Sequence, residues 1–268
     1  MNVRVMGLAE ATLEEALSEF AGSRGKFGGG GTPLQVSFSE AFFNPTSISV
    51  RTPITPTGRR VALLPDVLQD WRRCFVLFCD WLHALPEFAV LSREDKIAMG
   101  KNRFGPFYWW LCSNWSSQSG CNGVCYANGT YFPVDRSVQC LPDVGMTATK
   151  MMETLVMPLK ELRLDETEHA LMSAVVVFQI ELPTLSEAGK LVVRESAALF
   201  IKALHHYVHS RLGHHGHAAV RIGRMSILLA SATKMVHLTN DNLELNDVLH
   251  LVDWGEWSED LRKHAYNE

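Results

Sequence analysis

The chain has 268 residues, of which 47% are hydrophobic and 20% charged, and its formal net charge is −4. Those values suit one large globular domain with a sizeable core, or two small ones, and exclude non-specific nucleic-acid binding through a field of clustered Lys and Arg. Residues 1–64 read as a flexible tail or hinge. Within them Thr12–Phe20 has the pattern of a short amphipathic helix, with Thr12 and Glu15 as a capping box. The run SRGKFGGGGTP follows, then Pro45, Pro53 and Pro56, which punctuate rather than pack.

A domain over 65–268 begins at Pro65. Leu68, Trp71, Phe75, Phe78, Leu82 and Leu85 recur at helical spacing, and Val76, Leu77 and Trp81 fill much of the other side. A helix apolar nearly all round must be covered on several sides. Pro86 ends or kinks it, and Ser92 with Glu94 and Asp95 marks the start of another helix. That helix runs into FGPFYWWLCSNW, where Pro106 predicts a break or bend. Around Asn128-Gly129 the alternation of Val124, Tyr126 and Tyr131 predicts a β-hairpin with a two-residue turn. Helices are expected at about 147–162, 165–181, 185–212 and 218–238, with Thr184 and Glu187 as a capping box for the third of these.

The six cysteines contain no CxxC pair, and Cys121 and Cys125 have no second pair at finger spacing, so a structural zinc site is not expected. His205 and His209 stand four apart, near His214, His215 and His217. That spacing can bind zinc, but no cysteine or carboxylate completes a motif, so no metal is assigned. The start of the chain lacks a signal-peptide pattern. The longest apolar run, Leu171–Ile180, falls far short of the ~20 residues that span a bilayer. The cysteines are therefore expected to be reduced and intracellular. The sequons at Asn114 and Asn128 then read as chance matches. No Ser-His-Asp, paired-carboxylate or phosphate-loop constellation stands out, so no enzyme and no cofactor is expected.

The segment DWLHALPEFAVLSREDKIAMGK, Asp80–Lys101, resembles the signature of nuclear-receptor ligand-binding domains. Trp81 stands for the aromatic near a helix end, Pro86-x-Phe88 and Leu91 for the central step, Glu94-Asp95-Lys96 for the acidic dipeptide and its partner, and Lys101 for the closing base. In style it is similar to the nematode branch. LRLDETEHALMSAVVVF, LSEAGKLVVRESAALFIKALHHYV and AAVRIGRMSILLASATKMV follow in the order of that family's later helices, and the hairpin sits where the family has its small β element. The resemblance covers about 65–260.

The fold this implies is an all-α, three-layer antiparallel helical sandwich with one short β-hairpin, whose third and fifth helices cross the centre above a cavity. Candidate ligand contacts are then Phe75, Phe78, Cys79 and Leu82 on the third helix, and Phe107, Tyr108, Leu111 and Trp115 on the fifth. For each of them plain core packing is an equal reading. Trp115 falls where some relatives carry an Arg that grips a carboxylate, so an acidic ligand held that way is not expected. For the coregulator groove the resemblance implies Val76, Cys79 and Ile97 as floor and Lys101 as one clamp. His83 stands where a clamp Lys is usual, and Gly100 where Leu is common. Glu256, with Glu259 as the other choice, stands for the acidic clamp of a C-terminal switch helix, and Glu168 with Arg221 for a buried ion pair.

The implied function is transcriptional regulation by binding an apolar small molecule, such as a fatty acid or sterol, and recruiting helical coregulator peptides. Dimerisation through the tenth helix, no direct nucleic-acid contact, no membrane, and a nuclear location with some cytoplasmic presence go with it. The family's zinc-finger domain has no counterpart in residues 1–64, which hold no cysteine. The alternatives are a DNA-binding-deficient dimerisation module and an apolar-ligand carrier without transcriptional output.

Overall fold

The computed structural model describes residues 36–213 and 215–248. The Thr12–Phe20 helix, the Gly-rich run, His214, Glu256 and Glu259 lie outside them. Nine α-helices and three short strands are described: α1 (Phe38–Phe43), β1 (Arg60–Val61), α2 (Leu64–His83), α3 (Pro86–Ala89), α4 (Arg93–Ser119), β2 (Gly123–Cys125), β3 (Thr130–Pro133), α5 (Thr147–Met151), α6 (Met157–Leu162), α7 (Glu166–Phe178), α8 (Glu187–Leu212) and α9 (His215–Val248). The fold is the all-helical sandwich with one small sheet. Helix α4 lies at its centre, against α2, α7, α9 and the hairpin, while α8 packs on α7 and α9.

Local chemistry explains most boundaries. Asp66 accepts the Leu63 N–H at 2.8 Å and Pro65 sits in the first turn of α2, so orphan donors at that end are few. Ser92 accepts the Asp95 N–H at 3.0 Å and starts α4, and Gly120, at φ 74°, stops it. Between them the helix runs unbroken across Pro106, contrary to the predicted break. One backbone donor is lost there. The aromatic residues on either side, Phe104, Phe107, Tyr108, Trp109 and Trp110, are all buried and hold the helix together by packing. Gly105 lets α9 approach: a Cβ there would meet Val236 at 3.0 Å.

The turn between β2 and β3 is centred one residue earlier than expected. Gly129 donates to the Tyr126 carbonyl at 3.2 Å, which makes Ala127 and Asn128 the central residues. Gly129 takes the left-handed conformation, φ 86°, and Asn128 does not. A two-residue turn of the primed type on Asn128-Gly129 would need positive φ at Asn128. Strand β1, absent from the sequence reading, pairs in parallel with β3. Between α5 and α6 the helix widens into a π turn, Met152–Val156, just before Pro158, whose missing N–H removes a rung of the ordinary ladder. Ser186, not Thr184, caps α8, accepting the Gly189 N–H at 3.0 Å. Ser186 also donates its hydroxyl to Asp95 at 2.6 Å, and a Cβ on Gly189 would lie 2.5 Å from that carboxylate, which ties α8 to α4. Helix α9 continues ten residues past the expected end at 238, to Val248.

The segment 36–63, expected as part of a tail, is packed. Phe38, Ala41, Phe42, Ile48 and Ala62 are buried in it. Arg51 pairs bidentately with Asp80 at 2.8 Å, and Arg73 donates to the Thr52 carbonyl at 2.7 Å. Residues 55–62 run along the hairpin, with Thr55 donating to Ala127 at 2.7 Å and Ala62 to Tyr131 at 2.8 Å.

Candidate functional site

The expected ligand residues are divided between α2 and α4. Phe75, Phe78, Cys79 and Leu82 are fully buried, and Phe107, Tyr108, Leu111 and Trp115 are nearly so. Phe78 and Phe107 meet at 5.1 Å between ring centroids. The ring at the centre of the cluster was not among the candidates. Phe104 lies 5.2 Å from Phe75, 5.5 Å from Phe78 and 5.4 Å from Trp71. Its signal was the helical spacing to Phe107 and Tyr108. Much of the space between the two helices is therefore filled by the chain's own aromatic side chains at ordinary edge and tilted contacts. Burial pushes the Cys79 thiol well above its ordinary range, so this cysteine behaves as a small apolar side chain.

A polar group missed by the sequence reading lies deeper. The Asp70 carboxylate on α2 is fully buried and accepts hydrogen bonds from the Ala127 N–H at 2.6 Å and the Tyr108 hydroxyl at 2.9 Å. One carboxylate thus joins α2, α4 and the hairpin turn. Burial raises its pKa to about 7, against the opposing pull of those donors.

The groove residues converge where α2 ends and α4 begins. His83 is exposed at the last turn of α2, and Ile97 and Lys101 are half-buried on the first turns of α4. Val76 and Cys79 are buried beneath. Phe88 of α3, fully buried, lies 5.8 Å from the His83 ring. Partial burial, then Lys96, lower the His83 pKa despite Asp80, which favours a neutral imidazole. His83 is thus a hydrogen-bonding group rather than a fixed charge.

Glu168 of α7 and Arg221 of α9 form a bidentate pair at 2.6 and 2.7 Å. Arg221 also donates to the Leu162 carbonyl at 2.8 Å, closing the end of α6. The pair lines a cleft of about 250 Å³ together with Asp165, Val208 and Arg211. His205 and His209 stack at 6.2 Å on α8, and among the described residues no three His, Cys, Asp or Glu side chains converge as a metal site. All six cysteines are free thiols. Asn114 is buried, and the Asn128 amide donates to the Asp66 carbonyl at 2.9 Å, so neither sequon presents an idle side chain. No helix among the described residues is long and apolar enough to cross a membrane.

The family model described as the ligand-binding domain of nuclear hormone receptor matches residues 58–249. Nuclear hormone receptor family member nhr-61 of Caenorhabditis elegans is 38% identical over 244 residues, which cover 87% of this chain and 58% of that protein. Nuclear hormone receptor family member nhr-4 of the same organism is 27% identical over 84% of this chain and 46% of its own length. Hepatocyte nuclear factor 4-gamma of Mus musculus is 21% identical over 69% of this chain and 45% of its own length. The chain spans about half the length of these relatives.

Proposed function

The chain belongs to the family of nuclear hormone receptor ligand-binding domains, and from that premise we propose that it regulates transcription by binding an apolar small molecule and docking helical coregulator peptides. The observation that carries the docking half is the apolar seat between α2, α3 and α4, which in this structure is covered by the chain's own helix α1. Phe88 and Ile97 give it an apolar floor, and His83 and Lys101 stand at its rim. An amphipathic helix lays its apolar face into such a floor, and donors at the rim satisfy the carbonyls left open at its C-terminus. The interior between α2 and α4 is the place for a fatty acid or sterol. Leu82, Phe107, Leu111 and Trp115 offer apolar surface and few polar anchors there, and a ligand would have to displace part of the aromatic packing between Phe75, Phe78, Phe104 and Phe107. Residues of α9 supply the surface for a homo- or heterodimer, and the nucleus is where such a regulator acts.

Native mass spectrometry of the purified chain with an LxxLL peptide reads both halves at once. The expected spectrum shows a lipid-sized mass carried through purification and a peptide adduct. Lys101→Ala should keep the first and weaken the second about tenfold or more, the loss of a charge-assisted contact at a helix end. Bare polypeptide with no adduct from any such peptide contradicts the proposal.

A further inference from the structure

The groove assigned to coregulators is occupied in this structure by the chain's own helix α1. We propose that α1 is a built-in competitor for that groove, which a coregulator helix must displace. This rests on the reading of the groove given above. Helix α1, FSEAFF, is capped by Ser37 and turns Phe38, Ala41 and Phe42 inward, all three essentially fully buried. Those positions are i, i+3 and i+4, the spacing by which an LxxLL helix presents its own anchors.

The contacts reach His83, Phe88 and Lys101 of the groove and extend to the neighbouring Phe75 and Arg93. The Phe42 ring lies 5.2 Å from the His83 ring and 6.1 Å from Phe88. Phe38 lies 5.6 Å from Phe75, and the Lys101 ammonium stands 5.5 Å from its ring. Phe43 stacks on His83 at 5.8 Å and carries the Arg93 guanidinium 4.1 Å above its face. Gly100 explains how the ring fits: a Cβ at that position would sit 2.6 Å from Phe42 Cε2. A leucine at that position would fill the space Phe42 uses. The glycine and the phenylalanine are complementary in shape.

The attachment is built to be reversible. A helix of six residues has no stability of its own in water and is held only by what it packs against. Beyond Phe43, the chain is fixed again by the exposed Arg51–Asp80 pair and by the Arg73 contact to Thr52. A short tether of this kind presents α1 to the groove at millimolar effective concentration. A peptide of micromolar intrinsic affinity must compete with that.

The test is a titration of a fluorescein-labelled LxxLL peptide against the full chain, followed by anisotropy. Phe38→Ala combined with Phe42→Ala is expected to tighten binding at least tenfold. Because both rings are buried, Gly100→Leu is the second variant: it restores an apolar floor and expels Phe42, and it is expected to tighten binding similarly while limited proteolysis near residue 40 accelerates. If wild type binds in a Lys101-dependent way and neither variant tightens it, α1 is a packing element, the competitor idea fails and the groove reading stands. If no variant binds at all, the groove reading and the competitor fall together.

Discussion

Arg221→Ala is expected to destabilise the domain by about 3–5 kcal/mol, the cost of leaving a buried charge without its partner. The Glu168 side chain is 2% exposed and Arg221 22%, so the carboxylate cannot recover its hydration when the guanidinium goes. Two charge-assisted bonds at 2.6 and 2.7 Å disappear together, along with the bond to the Leu162 carbonyl. Glu168 has a second duty: its Oε2 accepts the Asp165 N–H at 3.0 Å while Asp165 accepts the Glu168 N–H at 2.9 Å, so the same carboxylate closes the capping box of α7. Arg221→Lys keeps the charge but loses the fork, and should fall between the two. Urea unfolding reads the effect, and in a heat scan it amounts to a drop of roughly 6–20 °C. A loss under about 1 kcal/mol would place the pair with ordinary surface salt bridges.

Asp70 should give the domain a pH dependence that the other groups do not share. Its folded pKa, about 7, lies above the ordinary carboxylate value because burial disfavours the charged form. A raised folded pKa means that the group contributes stability fully below about pH 4 and that this is lost as pH rises through about 7. At 1.36 kcal/mol per unit, the full swing is on the order of 4 kcal/mol. Asp66, Asp80 and Asp95 are held below the ordinary value, so their contributions are present above about pH 4 and change only below it. Burial lowers His169 to about 4, and its contribution, present above about 6.5, is lost as pH falls, opposite in sign to Asp70. The comparison with Asp70→Asn separates them. The variant stays neutral and keeps one carbonyl acceptor for Ala127 or Tyr108, so it should gain on wild type by a few kcal/mol between pH 5 and pH 8 in urea unfolding. A difference that stays flat across that window would show that the carboxylate keeps its ordinary pKa.

What the sequence made legible was local. The long apolar period from Leu68 to Leu82, the Ser92 cap and the Asn-Gly turn signal each act within a few residues, and α2, α4 and the hairpin follow from them. Pro106 failed as a breaker because its cost was set against an aromatic surround that only the tertiary structure assembles. Ser186 outcompeted Thr184 as a cap because Asp95, far away in the chain, holds it. The placement of α1 was the largest omission. FSEAFF has too few residues to show a helical period, and its two buried rings find their partners on α2, α3 and α4. At the site, His83, Gly100 and Lys101 came from a motif, whereas Phe104 and Asp70 are defined by what surrounds them in space.

The central claim, that the chain docks a helical peptide between α2 and the start of α4, is tested most directly by photo-crosslinking. An LxxLL peptide carrying a photoreactive leucine analogue at an anchor position is irradiated with the Gly100→Leu chain, and the adducts are mapped by mass spectrometry. Adducts confined to residues 79–101, and lost on adding Lys101→Ala, are the expected result. Adducts elsewhere on the domain, or none under conditions that label a known receptor, would contradict it.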